Sequence, residues 1–362
     1  MLPHQKRRIT LRIAQVAPLY ESVPPHTYGG TERVVSYLTE ELVKMGHEVT
    51  LFASGDSITA AKLIAACPQA LRLNKSNPDP FVYHTLQLER VAELLASFDL
   101  VHFHTDYSHF PLSRWLGYPQ ITTLHGRLDI PDLIALYRGF SDMPLVSISL
   151  AQRKPIRFAH WVGNVYHGLP LDLFHARTEP GEYLAFVGRI SPEKRVDRAI
   201  RIAEKAGIPL KIAAKIDRVD AEYFEQVIKP MLSSRYVEFV GEVDQPAKQE
   251  LLSHAIAMVF PIDWPEPFGL AMIEAMACGT PAIACGMGSV PEVIDEGVTG
   301  YVIHSEEEGA EAVARCAELD RAACRRQFEL RFSAARMAAE YVELYSHLSR
   351  RKGKAALHGS SS

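Results

Sequence analysis

The spacing of apolar and polar positions changes along the N-terminal part of the chain. Mostly apolar runs at 11–17 and 48–53 are typical of strands that a parallel sheet buries on both faces. Between them, residues 31–45 carry an apolar stripe at helical spacing, and Gly46 follows where a helix would end. The stripe consists of Val34, Leu38 and Leu42. The pattern predicts a strand, a helix and a second strand, which form a βαβ unit.

The alternation of strands and helices continues with one interruption. A stretch rich in Gly, Pro and His at 164–180 separates two series of predicted elements. Both series predict an open parallel sheet with helices on its two faces. The predicted elements are a helix at 86–97 and strands at 100–103, 120–124 and 145–149 before the interruption, then strands at 183–187, 209–213, 237–240, 257–260 and 281–285 and helices at 195–205, 246–255 and from Leu270 onward.

The length of the chain favours two domains. A single core stops growing near roughly 250–300 residues, and this chain has 362. We therefore expect an N-terminal domain at 1–170 and a C-terminal domain at 171–333. An apolar stripe then predicts a helix at 334–350 that packs back across the first domain, followed by a disordered tail at 351–362. The stripe is formed by Met337, Tyr341, Leu344 and Leu348.

Composition and charge exclude several classes of protein. The chain is 47% apolar and has a net charge of −4, which gives no general attraction to nucleic acid. Its five cysteines are scattered and include no Cys-x-x-Cys pair, so neither a disulfide framework nor a zinc site is indicated. Apolar stretches fall short of the ~20 residues that span a bilayer. These features predict a cytoplasmic protein without a strong membrane signal, and they leave the oligomeric state open.

The most informative segment, at 264–281, places two carboxylates eight residues apart. Glu266 lies between two prolines just before a predicted helix, and Glu274 lies in its second turn. The amides of residues 268–270 would have no intrahelical partner, which favours an anionic or hydroxyl-rich ligand at that end. A carboxylate can accept hydrogen bonds from two hydroxyl groups, so the pair can hold two different diols. The alternative interpretation is a charged helix cap and a solvated surface residue.

Five short motifs occur in an order that resembles a known family. The chain is similar to the family 4 retaining glycosyltransferases of the GT-B fold, from Ile13 to about Leu348. That resemblance implies an α/β protein with two doubly wound Rossmann-like domains facing a cleft, and a C-terminal helix that returns to the first domain. The motifs are Gly29-Gly30-Thr31-Glu32, Thr123-Leu124-His125-Gly126, Tyr166-His167-Gly168-Leu169-Pro170, the stretch from Gly188 to Lys194, and the Glu266/Glu274 element.

The resemblance also implies roles for individual residues. Arg189 and Lys194 would clamp the donor diphosphate, although two such cations are in general more often surface residues. His125 would contact the donor sugar near its reacting carbon, Glu266 would bind the sugar and Glu274 the ribose. These assignments make His125, Arg189, Lys194 and Glu266 the candidate catalytic residues. The candidate donor-binding residues are Gly30, Arg189, Lys194, Lys215, Gly241, Glu242, Glu266, Phe268, Gly269, Leu270 and Glu274.

The implied activity is retaining transfer of a hexose from a nucleoside diphosphate sugar, with a UDP-sugar favoured, to a hydroxyl acceptor. A front-face displacement would let the donor's own phosphate oxygen take the acceptor proton. We expect no metal and no cofactor, because Arg189, Lys194 and helix amides can replace a divalent ion and the sequence has no Asp-x-Asp element near them. The base of the donor nucleotide and the acceptor are not readable from the sequence.

Other interpretations remain open at this point. His102, His104 and Asp106 have a spacing that superficially resembles a metal hydrolase, although Tyr107 stands where that pattern would have a histidine. A sugar-nucleotide epimerase, a phosphorylase with a pyridoxal cofactor and a non-catalytic sugar-nucleotide-binding protein are the alternative functions. An epimerase would convert the donor without an acceptor, and a binding protein would not turn over at all.

Overall fold

Two parallel β-sheets organise the chain, one in each half. The computed structural model of the protein describes residues 10–26, 29–74 and 79–358. The strands are β1 Arg12–Val16, β2 Glu48–Ser54, β3 Lys62–Cys67, β4 Leu100–Phe103, β5 Gln120–Thr123, β6 Leu145–Ser147, β7 Trp161–Asn164, β8 Tyr183–Arg189, β9 Leu210–Lys215, β10 Val237–Gly241, β11 Ala255–Phe260, β12 Ala282–Cys285 and β13 Gly300–Ile303.

Helices connect these strands and cover both faces of each sheet. They are α1 Gly30–Lys44, α2 Pro80–Glu93, α3 Phe110–Leu116, α4 Pro131–Gly139, α5 Val196–Ala206, α6 Ala221–Tyr223, α7 Lys229–Met231, α8 Gln245–Ser253, α9 Leu270–Ala277, α10 Val290–Val293, α11 Glu306–Ala317, α12 Arg321–Arg331 and α13 Ala334–His358. A π-helical segment, Phe224–Ile228, joins α6 to α7.

The strand orders show that both domains are doubly wound. The first sheet has the order β3-β2-β1-β4-β5-β6-β7 and the second β10-β9-β8-β11-β12-β13. Neighbouring strands are parallel, as in the pairing of β1 with β4 and of β8 with β11. In each sheet the winding reverses beside the first strand of the domain, and ligands of such sheets bind at the carboxyl ends of the strands at that point. The predicted fold class, two Rossmann-like domains facing a cleft, is confirmed.

The C-terminal helix α13 completes the core of the N-terminal domain. Tyr341 and Tyr345, which are 1% and 0% exposed, pack in one cluster with Ile13 of β1 and Leu38 of α1. Helix α13 also contacts α1 and β4 directly. The return of this helix to the first domain is therefore as predicted. Its backbone stays helical to His358, although the sequence predicts a disordered tail from 351; residues 359–362 lie outside the described part.

Two chain segments cross between the domains side by side. Leu169 and Ser333 form a parallel bridge, in which the amide of Leu169 donates to the carbonyl of Phe332 at 2.9 Å. A side chain at position 168 would bring its Cβ to 2.3 Å from the Ser333 carbonyl oxygen, so Gly168 allows this close approach. The two domains are therefore connected by two segments that lie side by side, near residues 169 and 333.

A carboxylate of the second domain holds the first domain from another side. Glu292 accepts hydrogen bonds from the amides of Leu150 at 2.7 Å and Ala151 at 2.6 Å, and from the hydroxyl of Tyr166 at 2.9 Å. Hydrogen bonds to a charged acceptor are stronger than neutral ones. The contact therefore favours the relative position of the domains that this structure has.

Candidate functional site

A cleft of about 1050 Å³ lies between the domains, at the carboxyl ends of both sheets. Its volume is at the upper end of the roughly 300–1,000 Å³ typical of small-molecule sites, so it can hold a ligand larger than one sugar. Residues after β1, β4 and β5 form its N-terminal wall, and residues after β8, β9 and β11 form its C-terminal wall.

Two helix N-termini face each other across the cleft. Helix α1 begins at Gly30, where a Cβ would lie 3.6 Å from Cδ1 of Leu270, the first residue of α9. The first amides of a helix lack intrahelical partners, and the macrodipole makes that end positive. Two such ends on opposite walls favour an anion between them. The left-handed φ of 81° at Gly269, the residue before α9, explains why glycine precedes this helix.

Glu266 is held in a fixed position on the C-terminal wall. Its carboxylate forms an ion pair with Nζ of Lys194 and accepts a 3.0 Å hydrogen bond from the indole of Trp264. Its backbone is held as well, because its carbonyl oxygen accepts a 3.0 Å hydrogen bond from the amide of Ser289. The ammonium of Lys194 also lies 5.1 Å from the Trp264 ring centre. Lys194 and Glu266 therefore act as one unit, with the carboxylate accessible from the cleft.

Glu274 forms a second pair of the same kind on helix α9. Its carboxylate contacts Nζ of Lys248 at 2.7 Å, with side-chain exposures of 7% for Glu274 and 13% for Lys248. Lys248 lies on α8 and lines the cleft. Sequence reasoning missed this lysine, since nothing in its local sequence distinguishes it from a solvated helix residue. A buried carboxylate needs such a partner.

Arg189 ends β8 inside a network of carboxylates. Its guanidinium contacts Glu193 at 2.6 Å, Asp217 at 3.6 Å and Asp220 at 3.5 Å. Lys215, at the end of the neighbouring strand β9, contacts Asp217 at 3.0 Å. These carboxylates hold both cations at the cleft while they offset part of their charge. An anionic ligand would exchange some of these contacts for its own.

Three histidine rings contact one another at the N-terminal wall. Nε2 of His125, just beyond β5, lies 2.9 Å from Nδ1 of His104, and the ring of His125 stacks at 5.3 Å on that of His167. Burial lowers the pKa of His125 to about 3 and holds the pKa of His104 and His167 well below the usual value. All three rings are therefore neutral at pH 7 and add no positive charge to the cleft.

The metal-hydrolase interpretation has no support in this geometry. His102 is fully buried behind the wall, where it contacts the hydroxyl of Tyr345 at 2.7 Å and Oγ1 of Thr123 at 2.7 Å. His104 points to His125, and Asp106 lies on the cleft wall with a left-handed φ of 52°. Within residues 10–26, 29–74 and 79–358, no group of three or more His, Cys, Asp or Glu side chains is arranged to hold a metal ion.

Exposed aromatic rings form the outer part of the N-terminal wall. Tyr20, Phe81 and Tyr107 line the cleft and are 44%, 78% and 41% exposed. The ring of Tyr20 lies 5.4 Å from that of His84, one helical turn beyond Phe81 on α2. Nearby, Arg72 contacts the carboxylate of Glu21 at 2.6 Å, so this wall carries paired charge and flat apolar faces. The sequence did not predict this group, because each of these aromatic residues stands alone in its local sequence.

The structure brings nearly all the predicted site residues to one cleft. Gly241 is the exception, since it precedes the lining residue Glu242 but does not itself line the cleft. Those that line the cleft are Gly30, His125, Arg189, Lys194, Lys215, Glu242, Glu266, Phe268, Gly269, Leu270 and Glu274. Phe268 is 2% exposed and packs edge-on against His167 at 4.9 Å, which joins the two walls.

Two further predictions concern the chain as a whole. All five cysteines lie in the described ranges, where they are buried and free of disulfides. Among the helices described, none is long and apolar enough to cross a membrane.

Comparison with known proteins associates each domain with glycosyl transfer. Residues 28–166 match the family model described as Glycosyltransferase Family 4, and residues 174–329 match the model described as Glycosyl transferases group 1. The Alpha-maltose-1-phosphate synthase of Mycolicibacterium smegmatis is 32% identical over 186 residues, which make up 46% of this chain and 48% of that protein. The chain thus spans about half the length of that relative.

Solved structures match nearly the whole chain. AviGT4, a glycosyltransferase involved in Avilamycin A biosynthesis, has a TM-score of 0.71 at 24% identity, with 94% of this chain and 98% of that chain covered. HepE of Anabaena, solved in complex with UDP and glucose, has a TM-score of 0.71 at 16% identity, with coverages of 93% and 100%. At these identities the likeness establishes the fold. With one glycosyltransferase model matched by each domain, the chain is a homologue of glycosyltransferases and has the GT-B fold.

Proposed function

We propose that the protein is a retaining glycosyltransferase that moves a hexose from a nucleoside diphosphate sugar, with a UDP-sugar favoured, to a hydroxyl acceptor. One observation carries the proposal. Arg189, Lys194 and the open ends of two helices converge on one cleft, beside two carboxylates and opposite a neutral histidine. Cations and helix amides suit a diphosphate, whereas paired carboxylates suit the hydroxyls of two sugar rings. The complex of HepE with UDP and glucose supports this choice of donor.

Each group would have a defined task in the reaction. The bond from C1 of the hexose to the diphosphate oxygen breaks, and the acceptor oxygen bonds to C1 on the same face. The acceptor proton moves to the departing phosphate oxygen, so no protein base is required. Arg189 and Lys194 stabilise the charge that grows on the leaving diphosphate. Glu266 orients the hexose, Glu274 binds the ribose, and no metal or cofactor takes part.

The outer N-terminal wall favours a sugar ring as the acceptor. Tyr20, Phe81 and Tyr107 offer flat apolar faces, and the Glu21–Arg72 pair offers an acceptor and donors for hydroxyl groups. Because Arg72 is already paired with Glu21, this wall has less free positive charge than a phosphorylated acceptor would require. A neutral saccharide suits such a surface.

Thermal unfolding with UDP, GDP and ADP, alone and as hexose derivatives, tests the donor. A ligand at 100 times its Kd raises stability by about 2.7 kcal/mol, so selective stabilisation by uridine compounds is expected. NMR of the product then gives its anomeric configuration, which should equal that of the donor, and activity should persist in EDTA. Conversion of the donor without an acceptor would indicate an epimerase. Binding without turnover under any acceptor would indicate a sugar-nucleotide-binding protein.

A further inference from the structure

A buried series of hydrogen bonds connects the cleft to the C-terminal helix. From His125 it passes to Nδ1 of His104 at 2.9 Å, and from Nε2 of His104 to Oε1 of Gln15 at 2.8 Å. Nε2 of Gln15 donates to the hydroxyl of Tyr345 at 3.1 Å, and that hydroxyl lies 2.7 Å from Nδ1 of His102. Gln15, His102 and Tyr345 are 0% exposed. The reaction proposed above uses only His125 of this series.

The carbonyl of Gln15 determines where the protons of the histidines lie. Oε1 can only accept, so Nε2 of His104 must carry a hydrogen. A neutral imidazole has one N–H, which leaves Nδ1 of His104 as a lone pair that accepts from Nε2–H of His125. His125 then has its own lone pair on Nδ1. Burial keeps both rings neutral, which is the condition for this tautomer argument.

The opposite orientation of the Gln15 amide is less favourable. Its reversal would reverse each hydrogen bond in the series and place the hydrogen of His125 on Nδ1. That atom is buried and finds no partner among the described residues. A buried N–H without an acceptor costs about 1–3 kcal/mol, and such groups are rarer than unfilled acceptors. The Tyr345 hydroxyl can donate or accept and is therefore compatible with either orientation, but in the observed one its oxygen is the acceptor that the Gln15 N–H needs.

We propose that Gln15 and Tyr345 are positioning residues that set the tautomer of His125 through His104. The resulting hydrogen bond from His125 to His104 holds the ring of His125, which lines the cleft, in one orientation against the bound hexose. This second step rests on the proposed function, whereas the tautomer itself does not. The last helix of the chain thereby determines the orientation and the hydrogen-bonding character of a histidine at the cleft.

NMR of the full chain with ¹⁵N-labelled histidine at pH 7 tests the tautomer directly. Protonated and unprotonated ring nitrogens differ widely in ¹⁵N shift, and His125→Gln identifies the signals that belong to His125. The expected result is a hydrogen on Nε2 and a bare Nδ1. A hydrogen on Nδ1, or a charged ring, would overturn the proposal.

Tyr345→Phe tests the role of the helix. The variant keeps the ring but removes the acceptor of Gln15 and the donor to His102. We expect signals of both His125 tautomers and a decrease in kcat of about tenfold, the effect of one lost hydrogen bond. The Kd of UDP should not change, because Tyr345 does not line the cleft. Gln15→Met removes both polar groups at similar volume and should give the same split between kcat and Kd.

Tyr183→Phe is the control. It removes a buried hydroxyl that donates to the carbonyl of Leu251 at 3.0 Å in the C-terminal domain, outside the hydrogen bonds that connect Tyr345 to His125. Tautomer and kcat should stay at their wild-type values. Equal losses in Tyr183→Phe and Tyr345→Phe would reduce the effect to core stability and overturn the positioning role. Absence of UDP binding in the wild type would instead contradict the proposed function, while the tautomer measurement would still stand.

Discussion

The two walls of the cleft have opposite chemistry. The C-terminal wall consists of ion pairs, such as Lys194 with Glu266 and Lys248 with Glu274. The N-terminal wall consists mainly of neutral histidines, among them His125, and exposed aromatic rings such as Phe81, with the Glu21–Arg72 pair at its outer part. Charges suit a ligand that is itself ionised, and neutral rings suit hydroxyl groups and apolar sugar faces. Under the proposed function, the C-terminal wall would bind the ionised donor and the outer N-terminal wall the acceptor.

Compensation of charge explains how the C-terminal wall can stay folded. Unpaired buried cations would be costly, and each cation here contacts at least one carboxylate. The N-terminal wall avoids this cost because its histidines are uncharged. The two walls should therefore respond differently to loss of charge, to acid and to loss of aromatic surface.

The largest effect is expected from the cations of the C-terminal wall. Arg189→Ala and Lys194→Ala each remove charge-assisted hydrogen bonds worth about 1.5–3 kcal/mol, so kcat/KM should fall about 10- to 150-fold. Steady-state kinetics with the donor found by thermal unfolding measure this loss. Lys205→Ala is the control, because Lys205 pairs with Glu307 on the outside of the same domain at 2.8 Å. Equal kinetics for all three variants would show that neither Arg189 nor Lys194 contributes to the reaction.

Acid should destabilise the N-terminal domain first. Burial lowers the pKa of His109 to about 3 from 6.5, so the unfolded chain binds more protons between these values and stability falls as the pH drops below about 6.5. For this residue alone, the loss from pH 7 to pH 5 is roughly 2 kcal/mol. Hydrogen exchange of each domain at both pH values measures it.

The C-terminal domain provides the internal control for acid. Its histidines, His175, His254 and His304, are exposed or half-buried, unlike the buried His109 of the N-terminal domain. Exchange in its strands should change less than in β4 and β5. Faster exchange of both domains to the same extent would contradict the contrast between the walls.

Substitution of the two carboxylates of the C-terminal wall should have different effects on the Kd of UDP and on kcat. Glu274→Gln keeps the shape of the side chain but removes the charge, and we expect the Kd of UDP to rise about tenfold with little change in kcat. Glu266→Gln should mainly lower kcat, since the proposed function places Glu266 on the hexose. Calorimetry with UDP and initial rates distinguish these outcomes. The reverse pattern would exchange the two assignments.

The smallest effect is expected at the aromatic surface. Phe81→Ala removes one stacking face, worth about 0.5–1.5 kcal/mol, so the KM for a saccharide acceptor should rise roughly two- to tenfold while the Kd of UDP stays constant. Trp115→Ala is the control, because Trp115 is 91% exposed on α3 and does not line the cleft. If Phe81→Ala behaves like Trp115→Ala, the acceptor does not use this wall.

The sequence revealed the C-terminal wall far better than the N-terminal wall. Glu266, Glu274, Arg189 and Lys194 stand in motifs whose spacing around a strand end or helix start has a local meaning. Lys248 does not, since it reaches Glu274 only through the packing of α8 against α9. Gln15 and Tyr345 are 330 positions apart in the chain, so their contact follows from tertiary structure alone.

The same distinction applies to the fold. Central strands such as β4 are mostly apolar and fully buried, and the prediction for it, 100–103, agrees with the structure. The edge strands β3 and β7 were missed, since each is short, lies at an edge of the sheet and is only partly buried. Helices α11 and α12 were missed as well, as their polar faces dominate the local composition. Local pattern thus identifies what is buried on both sides, and tertiary contacts decide the rest.

The position of α13 has a consequence for synthesis of the chain. Tyr341 and Tyr345 complete the core around β1 and α1, but the ribosome makes them after the entire second domain. At about 5–20 residues per second, the first domain waits roughly ten to forty seconds for its last packing elements. During that interval Gln15 and His102 lack the hydroxyl that they contact in the finished protein. The nascent N-terminal half therefore has an incomplete core until the last helix is made.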